Sequence, residues 1–299
     1  MKASLIIAIY NNIRFLKAVL DSLQYQTEKD FEIIIAEDGE SIAVKEFIKQ
    51  YPFEQPWQHL IQKDEGWRKN MAMNMAIRSS KADWLIFIDG DCVLHQRFIE
   101  MHLRYAKEKY VLAGKKVKLD KTTSKLLLED NTFLLKLQKR ILKKFFFGKG
   151  HIRYIEEGIF ISPDNIFGFI PRIRTLNHLT CSNMSFSKKA IYSINGFDED
   201  YQLPTVGEDY DLTWRFDQAG FKHKSVRNLA IQYHLQHHEN WIDQDENLVM
   251  CRNKQLENKF FCENGLIKTE DSLNNYFLPK SAGISPQTEV SHFKMEVLN

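Results

Sequence analysis

Asp89-Gly90-Asp91 directly follows the apolar run Trp84-Leu85-Ile86-Phe87-Ile88. Two carboxylates one glycine apart, released together at the end of such a run, suit a hard divalent cation such as Mg²⁺ or Mn²⁺, and that cation in turn suits a diphosphate. The tripeptide alone is weak, because acidic pairs at strand ends are common. A second acidic group, Gly207-Glu208-Asp209-Tyr210-Asp211, stands before Leu212-Thr213-Trp214-Arg215. Carboxylates at a helix start can simply cap it and meet its dipole. Three in four residues exceed that need, and a carboxylate beside a metal-bound diphosphate can act as general base toward a substrate hydroxyl. Ahead of both groups lies Asp64-Glu65-Gly66-Trp67-Arg68-Lys69-Asn70, with Asn74 one turn later. Arg68 and Lys69 open a helix whose free N–H groups favour anions; solvent-facing side chains are the plainer reading. Glu37-Asp38-Gly39 closes another apolar run and can accept from a ribose hydroxyl or a base N–H.

The elements around these residues alternate. Leu5–Ile9, Phe31–Ala36, Trp57–Ile61 and 84–88 read as strands; 13–23, 43–51 (stopped by Pro52) and 67–79 read as helices. The first helix places Phe15, Leu16, Val19, Leu20 and Leu23 on one face. This order predicts right-handed βαβ units and a mostly parallel sheet, with ligands at the C-terminal strand ends. Tyr110–Val117 reads as a further strand, and Thr122–Phe147 is helical. From Asn131 to Ile155 there is no acidic residue, while Lys136, Lys139, Arg140, Lys143, Lys144, Lys149 and Arg153 alternate with Leu, Ile and Phe145-Phe146-Phe147. That stretch is either a solvated helix packed by its apolar face or an interfacial helix that seeks anionic lipid or a lipid-linked acceptor. Further on, 208–219 reads as a helix closed by Gly220, 230–234 as a terminal strand, and the chain beyond about Leu266 as a loosely held tail.

A chain of 299 residues can bury one substantial core, or one core and a small lobe. A net charge of +2 gives no reason to expect nucleic acid as a partner. Cys92, Cys181, Cys251 and Cys262 form no C-x-x-C pair, which argues against zinc and a disulfide framework and for a reducing compartment. The N-terminus lacks a signal-peptide layout and no run reaches the ~18 apolar residues of a membrane span. A cytoplasmic protein is expected, with contact at the inner face of the membrane left open. No G-x-G-x-x-G follows the first strand and no P-loop occurs, which disfavours a nicotinamide cofactor and P-loop chemistry.

The order of motifs over residues 3–238 resembles the family 2 glycosyltransferases, which have the GT-A fold, a Rossmann-like α/β arrangement. The family's Pro-x-Tyr-Asn appears as Ala8-Ile9-Tyr10-Asn11, its Asp-Asp-Gly-Ser as Glu37-Asp38-Gly39-Glu40-Ser41, its metal motif as Asp89-Gly90-Asp91, and its Glu-Asp motif as Glu208-Asp209. Ser182-Asn183-Met184-Ser185-Phe186 and Asn195-Gly196-Phe197-Asp198-Glu199 are similar to the C-terminal half of β-1,4-galactosyltransferases and chondroitin-type transferases, where a late His completes the metal site. Tyr233-His234-Leu235-Gln236-His237-His238 offers that ligand, with His234 placed first and His237 next.

The resemblance implies a nucleotide-sugar half (1–118), a helical basic insertion (119–180), an acceptor and catalytic half (181–240) and a partly flexible C-terminal extension (241–299). It implies a UDP-sugar donor held by Ala8, Tyr10, Asn11, Asp38, Arg68, Asn74, Asp89 and Gly90. Asp91, Asp89, His234 and His237 would hold a divalent metal, Mn²⁺ rather than Mg²⁺ because of the imidazole. Asp209 would be the base, with Glu208, Asn183 and Asp198 on substrate hydroxyls. The acceptor would be a glycan or lipid-linked saccharide. Two competing readings are a catalytically inactive nucleotide- or carbohydrate-binding module and a sugar nucleotidyltransferase. The latter opens with a Gly-rich loop, and residues 5–14 contain no Gly. A polymerising synthase is disfavoured by the missing Gln-x-x-Arg-Trp motif.

Overall fold

The computed structural model describes residues 1–148, 151–238 and 242–268. The chain begins with β1 (Ala3–Ile9), α1 (Ile13–Leu23), β2 (Phe31–Glu37), α2 (Ile42–Gln50), β3 (Trp57–Ile61), α3 (Lys69–Ser79) and β4 (Trp84–Asp89). Asn12 and Ser41 cap α1 and α2 by accepting from Phe15 N–H and Val44 N–H, the usual way an orphan first-turn donor is satisfied. Next come β5 (Cys92–Leu94), α4 (Phe98–Tyr105), β6 (Tyr110–Ala113), β7 (Lys116–Lys118), α5 (Lys121–Glu129), α6 (Leu134–Phe147) and α7 (Ile170–Ile173). The last elements are β8 (Met184–Ser187), α8 (Lys188–Tyr192), α9 (Asp211–Gln218), β9 (Lys222–Ser225), β10 (Gln232–His234) and α10 (Asp245–Leu256).

A seven-stranded sheet runs β3-β2-β1-β4-β8-β6-β9. β3, β2, β1 and β4 are parallel, and β8 is antiparallel to both its neighbours. The mostly parallel sheet flanked by helices is therefore as expected. Side chains alternate across it: Leu5 and Ile7 join α1, α2 and α4 on one face, Ile6 and Ala8 join α3, α8 and α9 on the other. A sheet covered on both faces needs continuous apolar strands, which explains the unbroken runs. Among the described residues no helix is long and apolar enough to cross a membrane.

Two expected elements are corrected. Tyr110–Val117 is two strands in different sheets, because the chain turns at Gly114 and Lys115. A Cβ on Gly114 would fall 2.4 Å from the Asn183 amide, so only glycine lets the backbone pass there. Thr122–Phe147 is two helices: Asp130 turns its carboxylate onto Thr132 N–H at 2.9 Å and interrupts the run. The strand expected at 230–234 forms as β10, in a small second sheet, β5-β10-β7. α5 and α6 cover that sheet through Leu127, Leu137 and Ile141 against Val117 and Tyr233. The 208–219 helix begins as a wide turn at Val206–Tyr210, and Gly220 closes it at φ +81°. Residues 242–268 pack back on the domain, with Lys254 paired to Asp198 at 2.5 Å. Lys149 and the tail expected beyond Leu266, from 269 on, lie outside the described residues.

Candidate active site

β1, β2 and β4 end level with one another, Ala8 beside Asp89 and Ile9 beside Glu37. Gly90 N–H then donates to the Ala8 carbonyl at 2.8 Å. A Cβ on Gly90 would lie 2.5 Å from Ile9 Cγ2, so the residue between the two aspartates has to be glycine. Past this contact β5 pairs antiparallel with β10, His234 opposite Cys92, and Leu235 N–H donates to the Asp91 carbonyl at 2.9 Å. The second sheet thus delivers a residue from late in the chain to the acidic triplet.

Asp91 Oδ2 lies 3.3 Å from His234 Nε2 and 3.0 Å from His237 Nε2. His237 Nδ1 is 2.9 Å from the His238 carbonyl. A ring nitrogen facing a carbonyl donates, so Nε2 is the nitrogen that meets Asp91, as an N–H donor in the protonated ring and as the lone pair that a metal would use once that proton is gone. The Cys92 thiol, held protonated by burial and by Asp91, donates to Asp91 Oδ1 at 3.2 Å. Burial opposes ionisation of Asp91, but the two imidazoles outweigh it and hold the carboxyl well below its usual range.

On the other side Lys69 Nζ donates to Asp89 Oδ1 at 2.7 Å and pairs with Glu208 Oε2 at 2.5 Å. Lys116 Nζ stands 3.8 Å from Asp89 Oδ2. Burial works against both ammonium charges, yet the carboxylates, Asp89 first, raise both lysines. Glu208 Oε1 also accepts from Thr205 N–H at 3.1 Å. Thr205 sits at φ +82°, a conformation L side chains rarely adopt, and such outliers gather at functional sites. Asp209 Oδ1 accepts from Cys181 N–H at 2.6 Å. Burial and the adjacent Glu208 push the Asp209 carboxyl up to about 7, the range a general base needs.

These strand ends enclose a cleft of about 730 Å³ lined by Ala8, Tyr10, Asn11, Asp38, Asp89, Gly90, Asp91, Lys69 and His237, among others. Asp38 accepts from Gln62 Nε2 at 2.6 Å and Arg68 N–H at 2.7 Å, and Tyr10 Oη donates to Asp64 at 2.7 Å.

Several expected positions are corrected. The Arg68 guanidinium turns away, to Glu65 and the Lys63 carbonyl; the cation that α3 presents to the cleft is Lys69. Asn74 is fully buried and brackets Phe197 and Glu199. Asn183 is buried too, donating to the Lys115 and Ala230 carbonyls. Asp198 is buried under Lys254. An amide carries two donors and an acceptor, so Asn74 and Asn183 serve to tie buried backbone, and none of the three lines the cleft. Glu208 and Asp209 stand behind Lys69 rather than on the cleft wall. Lys69 and Lys116 were the omissions. Lys69 was visible as a helix-opening cation, whereas Lys116 reaches Asp89 only through the strand order.

The glycosyl transferase family 2 model matches residues 4–167, more than half of the chain. The chain belongs to glycosyltransferase family 2. Within the family, it is 24% identical over 242 residues to a chondroitin synthase of Escherichia coli, covering 77% of this chain and 34% of that protein. It spans 15% of an uncharacterized glycosyltransferase of Rickettsia bellii. Among solved structures, S. aureus TarS 1–349 in complex with UDP-GlcNAc superposes with TM-score 0.56 at 13% identity, over 86% of this chain and 66% of that one. The mannosyltransferase PcManGT from Pyrobaculum calidifontis, in complex with GDP-Man and Mn²⁺, gives 0.51 at 12%, over 85% and 61%. These likenesses show the GT-A fold. The family match ends before Glu208 and Asp209.

The donor set fits a divalent cation. One carboxylate oxygen and two imidazole nitrogens lie within 4.8 Å of one another, as do ligand atoms of Asp89, Asp91 and Cys92. Neighbouring ligands on an octahedral ion with bonds near 2.1 Å stand about 3 Å apart, and Asp91 meets the two rings at 3.0 and 3.3 Å.

Proposed function

We propose that the chain is an inverting, metal-dependent glycosyltransferase. It moves a single hexose or N-acetylhexosamine from a UDP-sugar to a glycan or lipid-linked saccharide, in cell-surface polysaccharide or lipooligosaccharide synthesis. The observation that carries this reading is the meeting of Asp91, His234 and His237 at one end of a strand-end cleft whose other end leads through Lys69 and Glu208 to the neighbouring Asp209. TarS holding UDP-GlcNAc and PcManGT holding GDP-Man with Mn²⁺ support a nucleotide-sugar site on this fold.

In this reading Asp38 accepts from the uracil while Gln62 and the Arg68 N–H fix its carboxylate. Ala8, Tyr10 and Asn11 flank base and ribose, and Asp89 meets the ribose. Asp91, His234 and His237 hold the cation, Mn²⁺ in preference to Mg²⁺. When bound, the ion neutralises charge building on the departing diphosphate. Lys69, at the head of α3, adds a fixed positive charge beside it. Asp209 takes the proton of the acceptor hydroxyl as that oxygen attacks C1 from the face opposite the diphosphate. Thr205 and Lys69 hold Glu208 still beside it. The basic segment 136–153 meets the acceptor at an anionic membrane surface, on the inner face of the cell membrane.

The deciding experiment is a panel of UDP-, GDP- and CDP-sugars with Mn²⁺ or with chelator, read by thermal shift and nucleoside-diphosphate release. UDP-sugars with Mn²⁺ are expected to stabilise the chain and to release UDP. A thermal shift without turnover would instead identify a binding module. Pyrophosphate release from UTP and a sugar phosphate would identify a nucleotidyltransferase.

A further inference from the structure

α6 is apolar on two sides, and among the described residues only one of them packs on the fold. Leu134, Leu137 and Ile141 face inward and pack on Val117 and Tyr233. At 100° per residue, Leu135, Leu142 and Phe146 fall within about 20° of a single outward line. Leu135 is 55% and Phe146 68% exposed, and Phe147, 85% exposed, stands at the end of the helix on the lysine side of that line. Lys136, Lys139 and Lys143 follow on one flank, all exposed. A solvated helix face is expected to be polar. A second apolar stripe edged by lysines, in a stretch without an acidic residue from 131 to 155, has the composition of a helix lying in a lipid interface.

The position of this stripe matters as much as its composition. Lys144, in the last turn of α6, is bonded to Asp120. Asp120 caps α5 and follows Leu119, whose N–H donates to the His234 carbonyl at 3.0 Å. The aromatic end of α6 is therefore tied, through one ion pair and one short turn, to the segment that carries His234.

We propose that the outward stripe of α6, closed by Phe146 and Phe147, inserts into the headgroup region of an anionic bilayer and sets the catalytic cleft against it, so that the acceptor is a saccharide on a membrane-embedded anionic lipid. This rests on the glycosyltransferase reading above and supplies its acceptor class. Phenylalanines give penetration and the three exposed lysines give selectivity for negative headgroups, each side chain doing what the other cannot.

The test is co-sedimentation of the full chain with vesicles of phosphatidylcholine alone or with about a third phosphatidylglycerol. Two variants accompany it: Phe146→Ser/Phe147→Ser and Lys136→Gln/Lys139→Gln/Lys143→Gln. Lys144 and Arg140 are left intact because both bond within the fold. The wild type is expected to partition at least about tenfold better onto the anionic vesicles, and each variant to lose about tenfold or more of that binding. UDP-induced thermal stabilisation should stay at the wild-type value in both, which excludes unfolding. Equal binding to the two vesicle types, no binding, or unchanged binding of both variants would overturn the proposal. So would a wild-type dimer that the phenylalanine variant dissolves in the absence of any vesicle binding, since a second copy would then cover the stripe. Vesicle binding without UDP release would leave the membrane contact standing and remove the donor reading together with the acceptor class that rests on it; the reverse result would remove only this inference.

Discussion

At one end of the cleft Asp91 faces two imidazoles; at the other, Asp89 and Glu208 face two lysines. Asp-Gly-Asp is symmetric as written, yet the fold gives its two carboxylates unlike partners. An imidazole can give up its proton and become a ligand, so the charge it offers Asp91 can be exchanged for that of a divalent ion. An ammonium held protonated by carboxylates has no lone pair to offer. The side of the triplet suited to a cation is thus decided by residues about 145 positions away, brought in by the second sheet. The lysine end instead keeps a fixed charge and holds Glu208, next to the carboxyl that has been pushed up to about 7.

The largest effect that can break this division is at Asp209. Asp209→Asn should lower transfer on the order of a thousandfold, the usual weight of a general base, while UDP affinity with Mn²⁺ stays near wild type. Isothermal titration with UDP alongside a turnover assay reads both. Near-normal turnover would move the base elsewhere.

Next in size is a crossed pair of substitutions, one at each end. Asp91→Ala should cost about a hundredfold or more in Mn²⁺ affinity, exceeding what loss of an outer partner costs. Lys69→Met should act on stability instead. It leaves Asp89 and Glu208 without their shared cation, a loss toward the lower end of roughly 3–5 kcal/mol, while Mn²⁺ affinity stays within a few fold. Lys69→Arg should recover most of the stability. Mn²⁺ titration and chemical denaturation in chelator separate the two effects. If both variants lost metal equally, the ends would be one site and the division would fail.

How much of this the sequence discloses follows from the range over which each signal acts. The parallel strands were legible because burial on both faces leaves unbroken apolar runs. Asp38, Asp89 and Asp91 were legible because they sit at the ends of those runs. The late histidines were legible only as a cluster of three in five residues, since the pairing of β10 with β5 is a long-range register that no local pattern encodes. Asn74, Asn183 and Asp198 misled for a related reason: a polar residue that ties buried backbone and one that meets a sugar look alike until burial is known. The break between α5 and α6 was hidden because their apolar spacing continues across Asp130, where one carboxylate-to-backbone bond ends the helix.

The smallest expected effect concerns stability against pH at the lysine end. An unfolded aspartate titrates near 3.9, whereas burial and Glu208 push folded Asp209 up to about 7. Between those values the folded chain binds a proton that the unfolded chain does not. The contribution of this group is therefore fully present below about pH 4, declines as pH rises, and is lost above the folded value. Asp209→Asn removes the titration and keeps an oxygen to accept the Cys181 N–H. The variant should melt close to wild type at pH 5 and a few degrees higher at pH 8, with Glu208→Gln narrowing that gap by removing the neighbouring charge. Melting curves of the three proteins in chelator at the two pH values measure it. A gap that did not change with pH would mean that Asp209 is an ordinary carboxylate, and the lysine end would then hold a charge cluster without a base.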